Sequence, residues 1–244
     1  MKKTAAFFDI DGTLTRTSLM IDHFLRLVKN EVIEEHTWIN EIKPLYDDYN
    51  KRYLDYDNYL DAVSTVYMDT LKGIKYEFID FIAQQVINNN ADIVYTFTRS
   101  EIKWHQKQGH LVFFISGSPD FLVGHIARKY EVTDYRGTIY STDDDNIFTG
   151  NFIRMWDSVS KEKMMDKFDK IYGIDFESSY AYGDTDGDIS MLNRVGNPIV
   201  INPTMSLLNY IKADENLRDR VSIIVERKDV IYKITPEVLT HNLR

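Results

Sequence analysis

The chain has 244 residues and a formal net charge of −9, from 29 basic and 38 acidic side chains. Its apolar fraction of 43% is large enough to bury a core, which excludes wholesale disorder. The acidic balance argues against a nucleic-acid or anionic-membrane partner. The absence of cysteine excludes disulfides, thiolate nucleophiles and cysteine-ligated metals. Most of any chemistry must therefore come from carboxylates, hydroxyls and amines.

The first residues do not fit a targeting segment. The chain opens on Met1-Lys2-Lys3, but only four apolar residues precede Asp9, too few for the core of a signal peptide. No later window of the sequence is long and apolar enough for a membrane span. We therefore expect a soluble, cytoplasmic protein.

Four short apolar runs end abruptly in small or acidic residues, a pattern typical of strands that are covered on both faces. They are 5–8, 111–115, 180–183 and 198–201. Helical patterns lie between them: one begins after Ser118, which we expect to cap it, and another runs from about 160 to 172 before Gly173. The alternation predicts an α/β fold with a doubly wound parallel sheet, which binds ligands beyond the carboxyl ends of its strands.

The segment 16–90 breaks this alternation, because it contains helical patterns and no convincing strand. We interpret it as an all-helical domain, the helical insertion, so that 1–15 and 91–244 form the core domain. A stripe of tyrosines and aliphatic residues is expected to form the insertion's own core, with contact to a substrate as the alternative. The stripe comprises Tyr46, Tyr49, Tyr53, Tyr56, Leu60, Val63 and Tyr67.

Two further patterns are structural. Residues 137–154 predict a β-hairpin, with the acidic run 143–145 in its exposed turn. The six histidines show no metal-binding spacing, and we expect them at surface or interface positions. The sequence does not predict an oligomeric state.

Acidic residues follow two of the predicted strands directly. Asp9 and Asp11 follow the first, and Asp184 and Asp188 follow the third. Either pair alone could be a surface turn or a helix cap, and the second pair does not fit an EF-hand loop. At the end of a buried strand, however, acids are costly without a cation or hydrogen bonds. Together at one edge of the sheet, the two pairs would form an oxygen-rich Mg²⁺ site.

A hydroxyl and a lysine indicate an anion site in addition to the metal site. Ser116 and Gly117 lie between a predicted strand and a helix, a position that favours anion binding. Lys161 lies near a helix start, where a cation opposes the helix dipole, which is weak evidence for an anionic partner. Spacing alone does not distinguish Lys161 from Lys163 and Lys167 as the lysine that would bind this anion.

In their order along the chain, these motifs resemble the haloacid dehalogenase superfamily, and more closely its phosphoserine-phosphatase-like branch with a helical cap after the first strand. The resemblance covers roughly residues 4–203, and the Asp-x-Asp-Gly-Thr-Leu run is its most specific part. The distance along the chain from Lys161 to Asp184 is the one that commonly separates the phosphate-binding lysine from the last acid motif in this branch. The resemblance therefore favours Lys161 over the other lysines.

The resemblance implies a Mg²⁺-dependent phosphatase that acts on a small phosphomonoester. Asp9 would attack phosphorus and form an aspartyl-phosphate, and Asp11 would be the general acid and base. Mg²⁺ would be held by the Asp9 carboxylate, the Asp11 carbonyl and the Asp184 carboxylate, with Asp188 in support. Ser116, the Gly117 amide and Lys161 would bind the phosphate oxygens; these form the expected phosphate-binding group.

Three positions depart from true phosphoserine phosphatases. Gly12 stands where those enzymes carry serine, Ser18 where a glutamate binds the substrate ammonium, and Gly187 where they have asparagine. Arginines that could bind a substrate carboxylate are scarce in the helical insertion, where the candidates are Arg16, Arg26 and Arg52. The resemblance is therefore to the branch, and the substrate stays open. A phosphotransferase, a metal-independent dehalogenase and a non-catalytic phosphate- or metal-binding module remain alternatives.

Overall fold

The computed structural model describes residues 2–51, 53, 56–238 and 240, without the side chains of 56–58 and 60. The described chain contains a mixed sheet with the strand order β4-β3-β2-β1-β5-β6-β7-β8. The strands are β1 (Ala5–Phe8), β2 (Leu111–Pro119), β3 (Asp134–Thr142), β4 (Phe148–Ile153), β5 (Tyr180–Gly183), β6 (Asn197–Ile201), β7 (Ser222–Arg227) and β8 (Val230–Ile234).

Helices cover both faces of this sheet and fill the helical insertion. They are α1 (Leu19–Lys29), α2 (Glu35–Thr37), a π-helical turn (Trp38–Ile42), α3 (Lys43–Asn50), α4 (Tyr56–Leu71), α5 (Tyr76–Asn90), α6 (Thr96–Lys107), α7 (Asp120–Lys129), α8 (Ser158–Tyr172), a 3₁₀ turn (Asp186–Asp188), α9 (Ile189–Arg194), α10 (Met205–Ala213) and α11 (Glu215–Arg220). None of the described helices has the length and apolarity to cross a membrane.

The central strands pair in parallel, and only the two edge strands, β4 and β8, pair antiparallel. Strand β1 lies in the middle, with β2 and β3 on one side and β5, β6 and β7 on the other. The predicted doubly wound α/β fold class is confirmed, and each of the four apolar runs forms a strand. Strands β7 and β8 were not predicted from the sequence.

Strand β1 is apolar throughout because it separates two cores. Phe7 stacks on Phe113, with ring centroids 5.2 Å apart, in the core beneath α8 and α9. Phe8 stacks on Tyr182 at 4.2 Å, in the core that continues into the helical insertion. Both rings are fully buried, so continuous apolarity in β1 reflects helices on both faces.

The tyrosine stripe of the helical insertion is only partly a core. Tyr59 and Tyr67 are buried as expected, whereas Tyr53 is 81% exposed and lies in neither α3 nor α4. Tyr46 and Tyr49 are half-buried. Val63 is also buried, and the side chains of residues 56 and 60 lie outside the described part.

The hairpin prediction is confirmed, since β3 and β4 pair antiparallel and the Asp143 carboxylate accepts hydrogen bonds from the amides of Asp145 and Ile147 in the turn. The expectation that all histidines lie at surface or interface positions is wrong, because two of them are buried inside the chain. His23 is buried, and its Nε2 donates to the Ile79 carbonyl at 3.3 Å, which leaves Nδ1 to accept from the Tyr67 hydroxyl at 2.9 Å. His105 is likewise buried. Burial lowers the pKa of His23 to about 4.

Strand β7 contacts both connections between the sheet and the helical insertion through Glu226. Its buried carboxylate accepts a hydrogen bond from Arg16 Nη2 at 2.8 Å, on the entering connection. It also accepts from the amides of Thr96 at 3.0 Å and Phe97 at 2.9 Å, at the start of α6 on the returning connection. One carboxylate thus satisfies a helix N-terminus and pairs with a cation.

Candidate active site

Three neighbouring strands, β2, β1 and β5, bring the predicted site residues to one edge of the sheet. Asp9 and Asp11 follow β1, Ser116 and Gly117 lie near the end of β2, and Asp184 follows β5. A cavity of about 490 Å³ opens at this edge. Its lining includes Asp9, Asp11, Gly117, Ser118, Trp156 and Lys161.

The loop after β1 folds tightly around the Ile10 carbonyl, which accepts the amides of Leu14 and Thr15, each at 2.8 Å. Gly12 has φ +85°, a region that glycine adopts without steric cost. A Cβ at this position would overlap Asp184 Oδ2. Glycine is therefore needed at Gly12 both for the turn and for the close approach of the second acidic cluster.

Lys161 connects the two acidic clusters. Its Nζ donates to Asp9 Oδ1 and to Asp188 Oδ1, both at 2.6 Å. The lysine is only 2% exposed, whereas Lys163 and Lys167 point to solvent. Helix α8 presents Lys161 on its buried face, so the lysine that the family spacing favours is the one in contact with both carboxylates.

Asp188 is the most enclosed acid of the site, with no exposed surface. Its second oxygen, Oδ2, accepts hydrogen bonds from the amides of Asp184 at 3.0 Å and Thr185 at 3.1 Å. Thr13 Oγ1 donates to Asp184 Oδ1 at 2.8 Å. These contacts fix the orientation of the acids that follow β5.

The carboxylates of this cluster repel one another. Burial raises the pKa of Asp9 to about 8, with the charges of Asp188 and Asp11 adding to the rise and Lys161 opposing it. Burial, together with Asp9 and Asp188, also raises the pKa of Asp184 well above its usual value. Burial disfavours the charge of Lys161, but Asp188 and Asp9 outweigh it and raise its pKa. One lysine does not neutralise three buried acids.

A divalent cation fits this donor set. Carboxylate oxygens of Asp9, Asp184 and Asp188 all lie within 4.8 Å of one another. Oxygen donors are the ligands that Mg²⁺ prefers, and a cation among them would offset the burial and the mutual repulsion that raise the pKa of Asp9 and Asp184.

Asp11 is held by different partners from those of Asp9. Its Oδ1 accepts the Leu19 amide at the start of α1 at 2.7 Å, and its Oδ2 accepts the Ser118 hydroxyl at 2.6 Å and the Ser116 hydroxyl at 3.4 Å. Burial raises the pKa of Asp11, and the hydrogen bonds from Ser118 and Leu19 oppose the rise. The first helix of the insertion therefore begins on a side chain of the site.

Ser118 was expected to cap a helix, and that expectation is wrong. Strand β2 continues through Pro119, α7 begins at Asp120, and no side-chain cap is formed there. The Ser118 hydroxyl instead contacts Asp11, while its amide donates to Ser116 Oγ at 3.1 Å. Trp156 was also missed by the sequence analysis; it lines the cavity beside Gly117. Neither contact has a local sequence signal, because each joins distant parts of the chain.

The sequence profile of the family described as haloacid dehalogenase-like hydrolase matches residues 6–193. The chain belongs to this family. Histidinol-phosphatase of Neisseria meningitidis serogroup C (strain 8013) is 26% identical over 213 residues, which cover 84% of this chain and 93% of that protein. A relative of similar length is thus named for a phosphatase activity.

Solved structures agree with the family on the fold. A protein with unknown function from Bordetella pertussis Tohama I superposes with a TM-score of 0.70 at 18% identity, covering 87% of this chain and 96% of that one. A phospho-aspartyl intermediate analogue of phosphoserine phosphatase superposes with a TM-score of 0.60 at 21% identity, covering 94% and 96%. The structures show the fold. The family match together with curated relatives named for phosphatase activities, which include phosphoserine phosphatase SerB1 of Mycobacterium tuberculosis at 26% identity over 83% of this chain and 66% of that protein, assigns the chain to the phosphoserine-phosphatase-like branch, and as an enzyme it is a hydrolase.

Proposed function

We propose that this hydrolase is a Mg²⁺-dependent phosphatase that hydrolyses a small phosphomonoester through an aspartyl-phosphate on Asp9. The observation that carries the proposal is the convergence of Asp9, Asp11 and Lys161 on one cavity of about 490 Å³. A nucleophile, a separate acid and a cation are the groups that phosphoryl transfer to water through an enzyme carboxylate needs.

Asp9 has one oxygen committed to Lys161, and among the described residues its Oδ2 accepts no hydrogen bond. In the first step, Oδ2 bonds to phosphorus and the bond from phosphorus to the alcohol oxygen breaks, while the Asp11 carboxyl gives that oxygen its proton. In the second step, Asp11 takes a proton from water as the water oxygen bonds to phosphorus. The bond from phosphorus to Asp9 then breaks, which releases phosphate and restores both side chains.

The raised pKa of Asp11 suits its first task, because the acid must be protonated when the alcohol leaves. Its hydrogen bonds to the Leu19 amide and the Ser118 hydroxyl hold the carboxyl in place for both steps. The two acids next to β1 therefore have different environments and different proposed roles.

For phosphate binding we propose Ser116, the Gly117 amide and Lys161. Gly117 and Lys161 line the cavity, and the Ser116 hydroxyl lies directly beside Asp11 and the Ser118 amide. Donors already in position stabilise charge on the phosphoryl oxygens without reorganisation during the reaction.

For Mg²⁺ we propose the Asp9 carboxylate, the Asp11 carbonyl and the Asp184 carboxylate, with Asp188 supporting them. Asp188 suits a supporting role because its oxygens already contact Lys161 and two backbone amides. The ion would supply positive charge that allows these acids to ionise beside a dianionic phosphate.

We propose that residues 16–90 act as a cap over a core domain of 1–15 and 91–244. The two connections meet at an isolated β-bridge between Thr15 and Val94, so the insertion leaves and rejoins the core at one place. Ser18, which replaces the glutamate expected in phosphoserine phosphatases, lines the cavity on this side. This difference supports a substrate other than phosphoserine.

The test is Mg²⁺-dependent release of phosphate from p-nitrophenyl phosphate by the wild-type protein and by Asp9→Asn. We expect the variant to lose at least about a thousandfold in kcat, because its amide is a poor nucleophile. Asp145→Asn, in the exposed hairpin turn, is the matched control and should keep full activity. Thermal unfolding verifies that both variants fold.

Undiminished turnover in Asp9→Asn, or activity that survives removal of Mg²⁺ by EDTA, would refute the proposal. Hydrolysis also requires equal amounts of phosphate and alcohol among the products. A deficit of phosphate matched by a phosphorylated acceptor would show a phosphotransferase instead.

A further inference from the structure

A second cavity of about 510 Å³ lies beside the first, between the core and the helical insertion. The two cavities share the lining residues Asp11, Ser18, Thr185 and Thr204. Asp11 is the proposed acid for the leaving oxygen, so an alcohol bonded to a phosphate in the first cavity starts at this boundary. The second cavity is the space into which such an alcohol can extend.

Tyrosines dominate one side of the second cavity, which we call the tyrosine cavity after Tyr46, Tyr49, Tyr59 and Tyr95. Tyr49 and Tyr59 stack in parallel with ring centroids 5.1 Å apart, and Tyr46 tilts against Tyr59 at 5.8 Å. Because these rings pack on one another, their positions are set before any ligand binds. A preformed aromatic wall attracts a cation through the negative faces of the rings.

The charges around the tyrosine cavity are unbalanced. Asp22 contributes a carboxylate whose described partners are the neutral donors Thr17 Oγ1, at 2.8 Å, and Asn90 Nδ2, at 3.0 Å. Among the described lining residues, Arg16 is the only basic one, and Glu226 already pairs with it at 2.8 Å. Among the described lining residues, the cavity therefore has an acidic group without a basic partner and no unpaired basic group; Arg52, another arginine of the insertion, lies outside the described part of the chain.

Arg26 does not change this balance. Its guanidinium donates two hydrogen bonds to Gln85 Oε1, at 2.8 and 3.2 Å, and it is absent from the described lining of both cavities. A carboxylate in the tyrosine cavity would face Asp22 without a compensating cation from the residues that the structure describes, which costs binding free energy.

We infer that the tyrosine cavity binds the alcohol part of the substrate and selects a positively charged nitrogen, an ammonium or quaternary ammonium group, on an alcohol without a carboxylate. The ring faces and Asp22 attract the cation, and the lack of a free basic group among the described lining residues disfavours an amino acid. This inference rests on the proposed phosphatase activity, whose site supplies the phosphate end of the same ligand.

The test compares substrates that differ only in charge. Choline phosphate and 3,3-dimethylbutyl phosphate have the same shape, but the second has carbon in place of the charged nitrogen. We expect kcat/KM to be about tenfold higher for choline phosphate, from cation–π attraction in a partly desolvated site. Ethanolamine phosphate should likewise exceed phosphoserine, which adds only a carboxylate.

Variants locate the selectivity. Asp22→Asn and Tyr49→Leu should each reduce the ratio between choline phosphate and its neutral analogue to about threefold or less. Thermal unfolding verifies that both variants fold. Tyr53→Leu is the matched control, because Tyr53 belongs to the same tyrosine stripe but is 81% exposed and outside the described lining. It should leave the ratio unchanged.

The failure of this inference is distinguishable from that of the proposed function. Equal kcat/KM for the charged and neutral analogues, with normal Mg²⁺-dependent turnover of p-nitrophenyl phosphate, overturns the inference and leaves the phosphatase intact. Calorimetric titration of Asp9→Asn with both analogues measures selectivity without turnover. Equal affinities there would also overturn the inference, whatever the result of the activity assay.

Discussion

Replacing Lys161 by methionine removes the only cation in contact with the acidic cluster among the described residues. The lysine is 2% exposed and donates to Asp9 and Asp188 at 2.6 Å each. Methionine keeps most of the side-chain volume, so the change isolates the charge. Asp188, which has no exposed surface, would retain only its hydrogen bonds from two backbone amides.

The expected loss in free energy of unfolding is about 3–5 kcal/mol, the cost of removing one partner of a buried ion pair. This is a large share of the roughly 5–15 kcal/mol by which a domain is stable. Urea unfolding, followed by tryptophan fluorescence in EDTA at pH 7.5, measures the loss without a contribution from metal. Lys163→Met on the same helix is the matched control, because Lys163 is exposed and its loss should cost under about 0.5 kcal/mol.

A difference between the two lysine variants of less than about 1 kcal/mol would refute this reasoning. It would mean that the carboxylates relax toward solvent or toward other donors when the cation is lost. The burial of Asp9 and Asp188, which is the basis of the prediction, would then not describe the protein in solution.

Three further predictions concern His23, Gly12 and Ser118. The pKa of His23 is about 4 in the folded state and 6.5 when the side chain is exposed, so the unfolded chain binds more protons between these pH values. The free energy of unfolding that is present above pH 6.5 is therefore lost as the pH falls toward 4, and at pH 5 the loss is about 2 kcal/mol. Urea unfolding at pH 7.5 and 5.0 should show this loss as the difference between wild type and His23→Gln, and parallel curves would contradict it. Gly12→Ala should cost more stability in thermal unfolding than Gly109→Ala. Both glycines have positive φ, but a Cβ at Gly12 would overlap Asp184, whereas a Cβ at Gly109 meets nothing within 4 Å. Equal costs would mean that only backbone strain matters. Ser118→Ala should lower kcat on p-nitrophenyl phosphate about tenfold or more, since Asp11 loses a hydrogen bond of 2.6 Å, and an unchanged kcat would remove Ser118 from the site.

Patterns with a local cause were readable from the sequence. The run before Asp9 predicted a strand covered on both faces, because β1 packs between two helical layers. The acids after β1 and β5 were expected at one edge, because parallel neighbouring strands end together, and the structure brings Asp9, Asp184 and Asp188 within reach of one ion.

What the sequence analysis missed depends on contacts between distant residues. Ser118 has the local signature of a helix cap, but a contact with Asp11, more than a hundred positions away, determines its place. His23 looked like a surface residue until Tyr67 and the Ile79 carbonyl supplied its hydrogen bonds. Strand β8 carries little signal of its own, because its side chains are largely exposed at the edge of the sheet.

The three bonds accepted by Glu226 have a consequence for protein engineering. The family match ends at residue 193, yet Glu226 lies beyond it and holds both connections of the helical insertion, through Arg16 and the start of α6. A chimera in which a foreign insertion replaced residues 16–90 would keep the start of α6 but lose Arg16, so the new insertion would have to supply an arginine there or be exchanged together with β7. The unit to be exchanged is therefore discontinuous in the chain. Replacing residues 16–90 alone would remove Arg16 and leave the buried Glu226 carboxylate without its cation.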